Sequence, residues 1–208
     1  MIQHLYLVRH GQTDFNAEGR IQGQGASSSL SEKGRKQAEL LGDRLQNCGF
    51  DCDYIFSSPL ERALETARIA TAYLSKEIII EDLIQEISCG DFEGRLVSEL
   101  DQKILARIAK DTTEKYPGGE SSLDVRNRGL QFLQKLEKLE GESAIIFSHG
   151  NFLRNFSGAA TGLAPDIFSR VYKDNAAISY LSLQGDNYRI VSWNDSSHIH
   201  FFPQKKMP

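Results

Sequence analysis

An α/β three-layer sandwich is the fold this sequence predicts: a mostly parallel central sheet with one antiparallel edge strand, helices on both faces, and a helical lid subdomain. Three observations predict it. Four short apolar runs, Leu5–Val8, Tyr54–Phe56, Ile78–Ile80 and Ala144–Phe147, lack the polar alternation of a half-solvated strand. Such runs read as strands buried on both faces, the mark of a parallel sheet. Between them lie stretches of helical periodicity with capping residues, as strand–helix–strand units require. The last two strand patterns, Ser179–Leu183 and Tyr188–Trp193, are joined through Gln184-Gly185-Asp186-Asn187, which fits an antiparallel hairpin at a sheet edge.

The first strand ends in Arg9-His10-Gly11. Open α/β sheets bind ligands just beyond their C-terminal strand ends. Gly11 carries no side chain to stop a ligand approaching the backbone. Arg9 offers a planar fork of donors suited to phosphate oxygens. His10 offers a nitrogen nucleophile that can be neutral near pH 7. Residues 11–31 then form a polar, glycine-rich loop, where Ser27, Ser28 and Ser29 without an apolar anchor suggest a mobile segment beside the site.

Ser31 caps a helix predicted to run to about Asn47, with Ala38, Leu41 and Leu45 on one face and Gly49 as its stop. After the second strand, Ser58 and Glu61 make a capping box and Pro59 fits the first helical position. A helix is predicted from there to about Leu74. Arg62 falls in or just past its first turn, an awkward place for a cation because a helix N-terminus is already positive. A bound anion resolves the conflict; the alternative is a surface pair with Glu61 or Glu65. The third strand is followed by Glu86, Gly90, Phe92, Glu93 and Gly94, a tight acidic turn with no second cluster spaced to complete a metal cage.

Residues 95–140 change character. Leu96, Leu100, Ile104 and Ile108 fall at helical spacing, Tyr116-Pro117-Gly118-Gly119 breaks the chain, and Ser121 caps a second helix carrying Leu130, Leu133 and Leu136. Two successive helices depart from the strand–helix alternation and read as a lid inserted over the strand ends. Ordinary flanking helices are the alternative. Lys103, Arg107, Tyr116 and Arg126 are its candidates for choosing a substrate. The fourth strand ends in Ser148-His149-Gly150, repeating the histidine–glycine design of His10. His198-x-His200 reads as alternation in a surface tail, and Lys205-Lys206 as a solvated end.

At 208 residues the chain reads as a single domain, 1–208, with the 95–140 insertion inside it. Its net charge of -4 argues against a nucleic-acid partner. Three cysteines, Cys48, Cys52 and Cys89, are too few and too loosely spaced for a disulfide framework, and no leader or membrane-length apolar run is present. A cytoplasmic protein with no membrane partner is the expectation. No triphosphate-binding loop and no nicotinamide fingerprint occur.

The Arg9-His10-Gly11 run with Thr13 and Asn16, the stretch Ser57-Ser58-Pro59-Leu60-x-Arg62-Ala63-x-x-Thr66-Ala67 and the segment Glu86-x-x-x-Gly90-x-Phe92-Glu93-Gly94 together resemble the histidine phosphatase superfamily, in its phosphoglycerate mutase-like phosphatase branch. The resemblance implies catalysis by Arg9, His10, Arg62, Glu86 and His149. It implies substrate contacts from Arg9, Asn16, Gln22, Gly23, Arg62, Glu86, His149 and Gly150. Glu86 would be the proton donor, with Glu93 the competing candidate. A solvated loop glutamine is the alternative reading of Gln22. No metal and no cofactor are implied; the partner is a small phosphorylated metabolite, and a homodimer is compatible with the reading.

The chemistry agrees with that set. Two arginines would hold the equatorial oxygens of a phosphomonoester and offset its charge, a task metals perform elsewhere. They would also keep His10 unprotonated by like-charge repulsion. Near a dianion, Glu86 would tend to hold its proton, to donate to the leaving oxygen and later to take one from water. The expected reaction is metal-independent hydrolysis through phosphohistidine. A phosphoglycerate mutase and a non-catalytic phosphate-binding module are the alternatives.

Overall fold

The structure is a computed structural model that describes residues 1–25, 28–164, 167, 171 and 173–199. Ser27, His200 and the Lys205-Lys206 pair therefore lie outside the described residues. Strands β1 (His4–Arg9), β2 (Tyr54–Ser57), β3 (Ile78–Ile80), β4 (Ser143–Ser148), β5 (Ile178–Gln184) and β6 (Asn187–Asp195) form one sheet in the order β3-β2-β4-β1-β5-β6. The first four in that order are parallel, and β5 runs against β1. The expected hairpin forms the edge: β5 is the strand that opposes the others, and β6 folds back on it as the outermost. Both strands extend into the expected connection, leaving Gly185, at φ 66°, and Asp186 as the turn.

The apolar runs alternate between two cores, which is why they need no polar positions. Leu5 and Leu7 of β1 and Ala144 and Ile146 of β4 face one core, while Val8, Ile145 and Phe147 face the other. Helices α2 (Glu32–Asn47) and α3 (Glu61–Ala70) cover the second, through Leu41, Leu45, Ala67 and Ala70. Helices α5 (Ser122–Glu137) and α6 (Gly150–Thr161) cover the first, through Phe132, Phe152 and Phe156. The sandwich thus has helices on both faces.

Several local expectations change. A short helix α1 (Asp14–Glu18) interrupts the polar loop, capped by Thr13 and Asn16 in a capping box. Leu30, which is buried and bridges to Thr13, is the apolar anchor that the serines alone did not reveal. Ser31 caps α2 as expected. Ser58 does not cap α3, whose N-cap is Leu60 without a side-chain bond; its hydroxyl is engaged by His149 instead. That helix ends at Ala70, short of Leu74. In the 95–140 segment, Leu96 and Leu100 precede the helix α4 (Gln102–Lys110), in which Ile108 is the buried residue. Helix α5 buries Val125, Gly129, Phe132 and Leu136, while Leu130 is 39% exposed. Its face is fixed by packing on α6, where Gly129 lies against Phe156. Thus α5 belongs to the flanking layer of the main core, and α4 is the more peripheral of the pair.

This topology positions a site. From β1 the chain crosses through α2 to β2, on one side of β4; from β4 it crosses through α6 to β5, on the far side of β1. Adjacent strands whose connections leave in opposite directions open a crevice at their C-terminal ends. His10 and His149 are the residues that follow those two strands.

Candidate active site

The rings of His10 and His149 lie 5.2 Å apart, centroid to centroid, across this crevice. The equivalence read in the sequence comes from register: Arg9 pairs with Ser148, so both strands stop at one level. His10 is held on every side. Its backbone N–H donates to Ser148 O at 3.0 Å, and its carbonyl accepts from Asn175 Nδ2 at 3.0 Å and Ala176 N at 3.1 Å. Its Nδ1 lies 2.7 Å from the carbonyl oxygen of Gly11. A carbonyl can only accept, so Nδ1 carries the proton and Nε2 keeps the lone pair. Burial, then Arg62 and Arg9, push the pKa of His10 well below the ordinary histidine value. The expected effect of the arginines is present, but burial outweighs it.

Gly11 has a different reason from the one the sequence suggested. A Cβ there would lie 2.5 Å from Gly34 O, and a Cβ on Gly34 would lie 1.9 Å from Gln12 O. The missing side chains let the loop after β1 press against the start of α2; no ligand is needed to explain Gly11. Its N–H donates to Thr66 Oγ1 at 3.0 Å, and Thr66 in turn donates to Arg62 O at 2.6 Å. One threonine thereby ties the β1 loop to the first turn of α3.

Arg62 is buried and forms neither surface pair considered for it. Glu61 pairs with Arg68 at 3.3 Å and Glu65 with Arg35 at 2.7 Å. Arg62 Nη2 donates to Gly23 O at 2.8 Å, and its Nε is buried without a hydrogen-bond partner. Burial pushes its pKa down to about 10, opposed first by the nearby Glu86 carboxylate. A cation at a helix N-terminus with an unmatched donor is the environment an anion completes. Arg9 donates through Nη1 to the carbonyl of Lys173, and Gly150 approaches its guanidinium, a Cβ there lying 3.5 Å from Arg9 Nε. The Lys173 side chain, buried under β1, is pushed down to about 7 by burial and then by Arg9.

Glu86 sits at the start of α6. Its Oε1 accepts from Ile87 N at 2.9 Å and Phe152 N at 3.0 Å, and its Oε2 from Asn151 N at 3.2 Å. Arg128 Nη2 and Gln24 Nε2 donate to its carbonyl, at 3.2 and 2.7 Å. Glu93 is used differently. Its carboxylate accepts from the backbone N–H groups of Cys89, Gln24 and Gly25, pinning the loop that carries Gln22 and Gly23. Gly23 sits at φ 57°, which strains any side chain, and a Cβ there would lie 2.0 Å from Glu93 Oε1 and push that carboxylate off the loop. Gln22 is buried with its Oε1 unpartnered, so it is not a solvated loop residue. Asn16 accepts through Oδ1 from Thr13 N and Asn175 Nδ2, each at 3.2 Å.

His149 is fully buried. Its Nε2 lies 2.9 Å from Ser58 Oγ, and its Nδ1 has no partner. Burial, then Arg62 and His10, keep it well below the ordinary histidine pKa. Of the lid residues considered for substrate choice, Arg107 pairs with Glu114 at 2.7 Å, Arg126 reaches Leu163 O at 3.5 Å, and Tyr116 packs edge-on against Phe92. His198 Nε2 meets Ala176 O at 3.0 Å.

Sequence reasoning missed Thr66 as a tie, Ser58 as a partner of His149, Asn175 as the clamp on His10, and Arg128 as the brace under Glu86. Asn175 left one signal, a polar residue directly before the apolar run Ala176-Ala177-Ile178 that leads into β5. Among the described residues, no group of three or more His, Cys, Asp or Glu side chains gathers as a metal site, and no helix is long and apolar enough to cross a membrane. The cysteines are free, as their spacing implied.

The model of the histidine phosphatase superfamily (branch 1) matches residues 5–196. Phosphoserine phosphatase 1 of Hydrogenobacter thermophilus is 33% identical over 203 residues, 95% of each chain. Phosphoglycerate mutase-like protein 4 of Arabidopsis thaliana is 31% identical over 203 residues, 94% of this chain and 86% of that one. Among solved structures, a mycobacterial glucosyl-3-phosphoglycerate phosphatase complexed with VO3 superposes with a TM-score of 0.85 at 28% identity, covering 92% of this chain and 98% of that one. YhfR of Bacillus stearothermophilus gives 0.84 at 32% identity, covering 94% and 98%.

Proposed function

The chain belongs to branch 1 of the histidine phosphatase superfamily, and from that premise we propose that it hydrolyses a small phosphorylated metabolite through a phosphohistidine on His10, without a metal. The observation that carries the reading is the fixed orientation of His10. With Nδ1 donating to Gly11 O, Nε2 is the free nucleophile, kept neutral by burial and held beside Arg62 and Arg9.

In the first step His10 Nε2 attacks phosphorus in line with the ester oxygen. The N–P bond forms as the P–O bond breaks, and Glu86 gives its proton to the departing alkoxide. Arg9, Arg62 and His149 hold the three non-bridging oxygens while their charge is redistributed, so no reorganisation is needed at the barrier. In the second step Glu86 takes a proton from water, the water oxygen attacks phosphorus, and the N–P bond breaks, returning the lone pair to His10. A positioned proton donor of this kind contributes about 10²–10⁴-fold. Glu86 is fixed at the start of α6 and lies near Arg62, which puts its carboxyl beside the proposed phosphoryl site. Glu93 accepts from three backbone N–H groups, as Glu86 does, but those of Gln24 and Gly25 commit it to pinning the loop.

The test is p-nitrophenyl phosphate turnover in excess chelator. The wild type is expected to retain activity and His10→Ala to lose it; turnover surviving His10→Ala would remove His10 from the mechanism. The substrate is then found by scoring free phosphate across a panel that includes phosphoserine, sugar phosphates and phosphoglycerates. The mutase-like relative keeps phosphoryl transfer to a second hydroxyl as the other reading. Interconversion of phosphoglycerates without phosphate release would select it.

A further inference from the structure

We propose that Ser58 is a positioning residue that sets the tautomer of His149, holding its proton on Nδ1 so that the ring presents a donor to the phosphoryl group. The proposal rests on the phosphatase reading for its purpose, but its evidence is a hydrogen-bond count. Ser58 and His149 are both fully buried, with Ser58 Oγ 2.9 Å from His149 Nε2. Ser58 Oγ also accepts from Leu60 N at 3.3 Å. His149 Nδ1 is buried and unpartnered, on a ring 5.2 Å from that of His10.

Two arrangements of the proton are open. If Nε2 carries it, Nε2–H donates to Ser58 Oγ. The serine hydroxyl then accepts twice, and its own proton has no acceptor among the described residues. Nδ1 would in addition present a bare lone pair where a phosphoryl oxygen has to bind, and two lone pairs repel. If Nδ1 carries the proton instead, Ser58 donates to Nε2 and still accepts from Leu60. The one group then unmatched is Nδ1–H, and a phosphoryl oxygen matches it. Buried polar groups are rarely left unpaired, so the second arrangement is the one the count selects.

Burial and Arg62 hold His149 neutral, so the ring has a single N–H to place and its location matters. The unused cap of α3 fits the same account. Ser58 stands where a helix-capping serine was expected, but the N-cap is Leu60, whose backbone N–H donates to the Ser58 oxygen while the serine's proton stays available to the imidazole.

The experiment is long-range ¹H–¹⁵N NMR of the histidine-labelled full chain with saturating inorganic phosphate, using His149→Gln to assign the resonance. The wild type is expected to show a protonated Nδ1 and a bare Nε2 on His149. Ser58→Ala is expected to lose that preference and to lower kcat about 10–100-fold, the usual scale for removing a group that orients a histidine, with a smaller change in KM. Ser58→Thr, which keeps a hydroxyl, is expected to restore both. An Nε2–H tautomer in the wild type, or an unaltered Nδ1–H tautomer in folded Ser58→Ala, overturns the proposal. Should Ser58→Ala fail to fold, the wild-type spectrum and Ser58→Thr decide it. The tautomer is read without turnover, so a protein inactive on every phosphomonoester would sink the phosphatase reading and leave this result standing by itself.

Discussion

Burial at the site has a measurable sign. His10 and His149 both have folded pKa values depressed below the ordinary value of 6.5, chiefly by desolvation. Above that value both are neutral whether the chain is folded or not, and their neutrality costs the fold nothing. Below it the unfolded chain binds protons that the folded one refuses, so stability falls with acidification by up to about 1.4 kcal/mol per pH unit for each histidine. The double variant His10→Gln/His149→Gln is expected to flatten this part of the stability–pH curve, measured by urea unfolding between pH 7 and pH 5. For activity, the acid limb of kcat/KM is expected well below 6.5, after correction for the substrate's own ionisation. Arg62 gives a second test at this scale. A lysine cannot donate to Gly23 O and also present a second, fixed donor, as the guanidinium does. Arg62→Lys is therefore expected to cost about 10²-fold or more in kcat/KM; near-normal kinetics would show that a point charge suffices.

Between elements, the tightest fit is the contact of the β1 loop with α2. A Cβ on Gly34 would sit 1.9 Å from Gln12 O, backbone against backbone, so no side-chain rotation can relieve it. Gly34→Ala is expected to damage activity as well as stability, because the displaced loop carries His10. Ser31→Ala removes the cap that accepts from Gly34 N and is expected to cost about 1 kcal/mol with activity kept. Denaturant midpoints and kcat for the two variants separate these effects. Elements defined by local chemistry were legible in the sequence: Ser31 and Gly49 bound α2, and the apolar runs mark β1 to β4. Elements whose outcome depended on distant partners were not. Ser58 looks like a cap until His149 claims its hydroxyl. Leu130 was expected on the buried face of α5, but packing on α6 buries Phe132 and leaves Leu130 outside. Gly11 suggested a ligand because α2's approach is invisible in the chain order.

At the scale of the molecule, two cores on opposite faces hold a single sheet whose parallel strands end at one level, and the site is built on that edge. The catalytic candidates were legible because each lies at or beyond the end of a strand; their supports were not, because Thr66, Asn175 and Arg128 act across the fold. Phe132 is fully buried between Phe56 and Phe156, away from the crevice. Phe132→Ala is expected to cost about 3–5 kcal/mol of stability while the surviving folded fraction keeps its kcat. The central claim is that these convergent residues place phosphorus on one imidazole. Its most direct measurement is acid-free rapid quench with ³²P-labelled substrate, followed by mapping of the labelled peptide. The expected result is transient, acid-labile and alkali-stable label on His10, absent in His10→Ala. Full turnover with no label on the protein at any time point, or label on another residue, would contradict it.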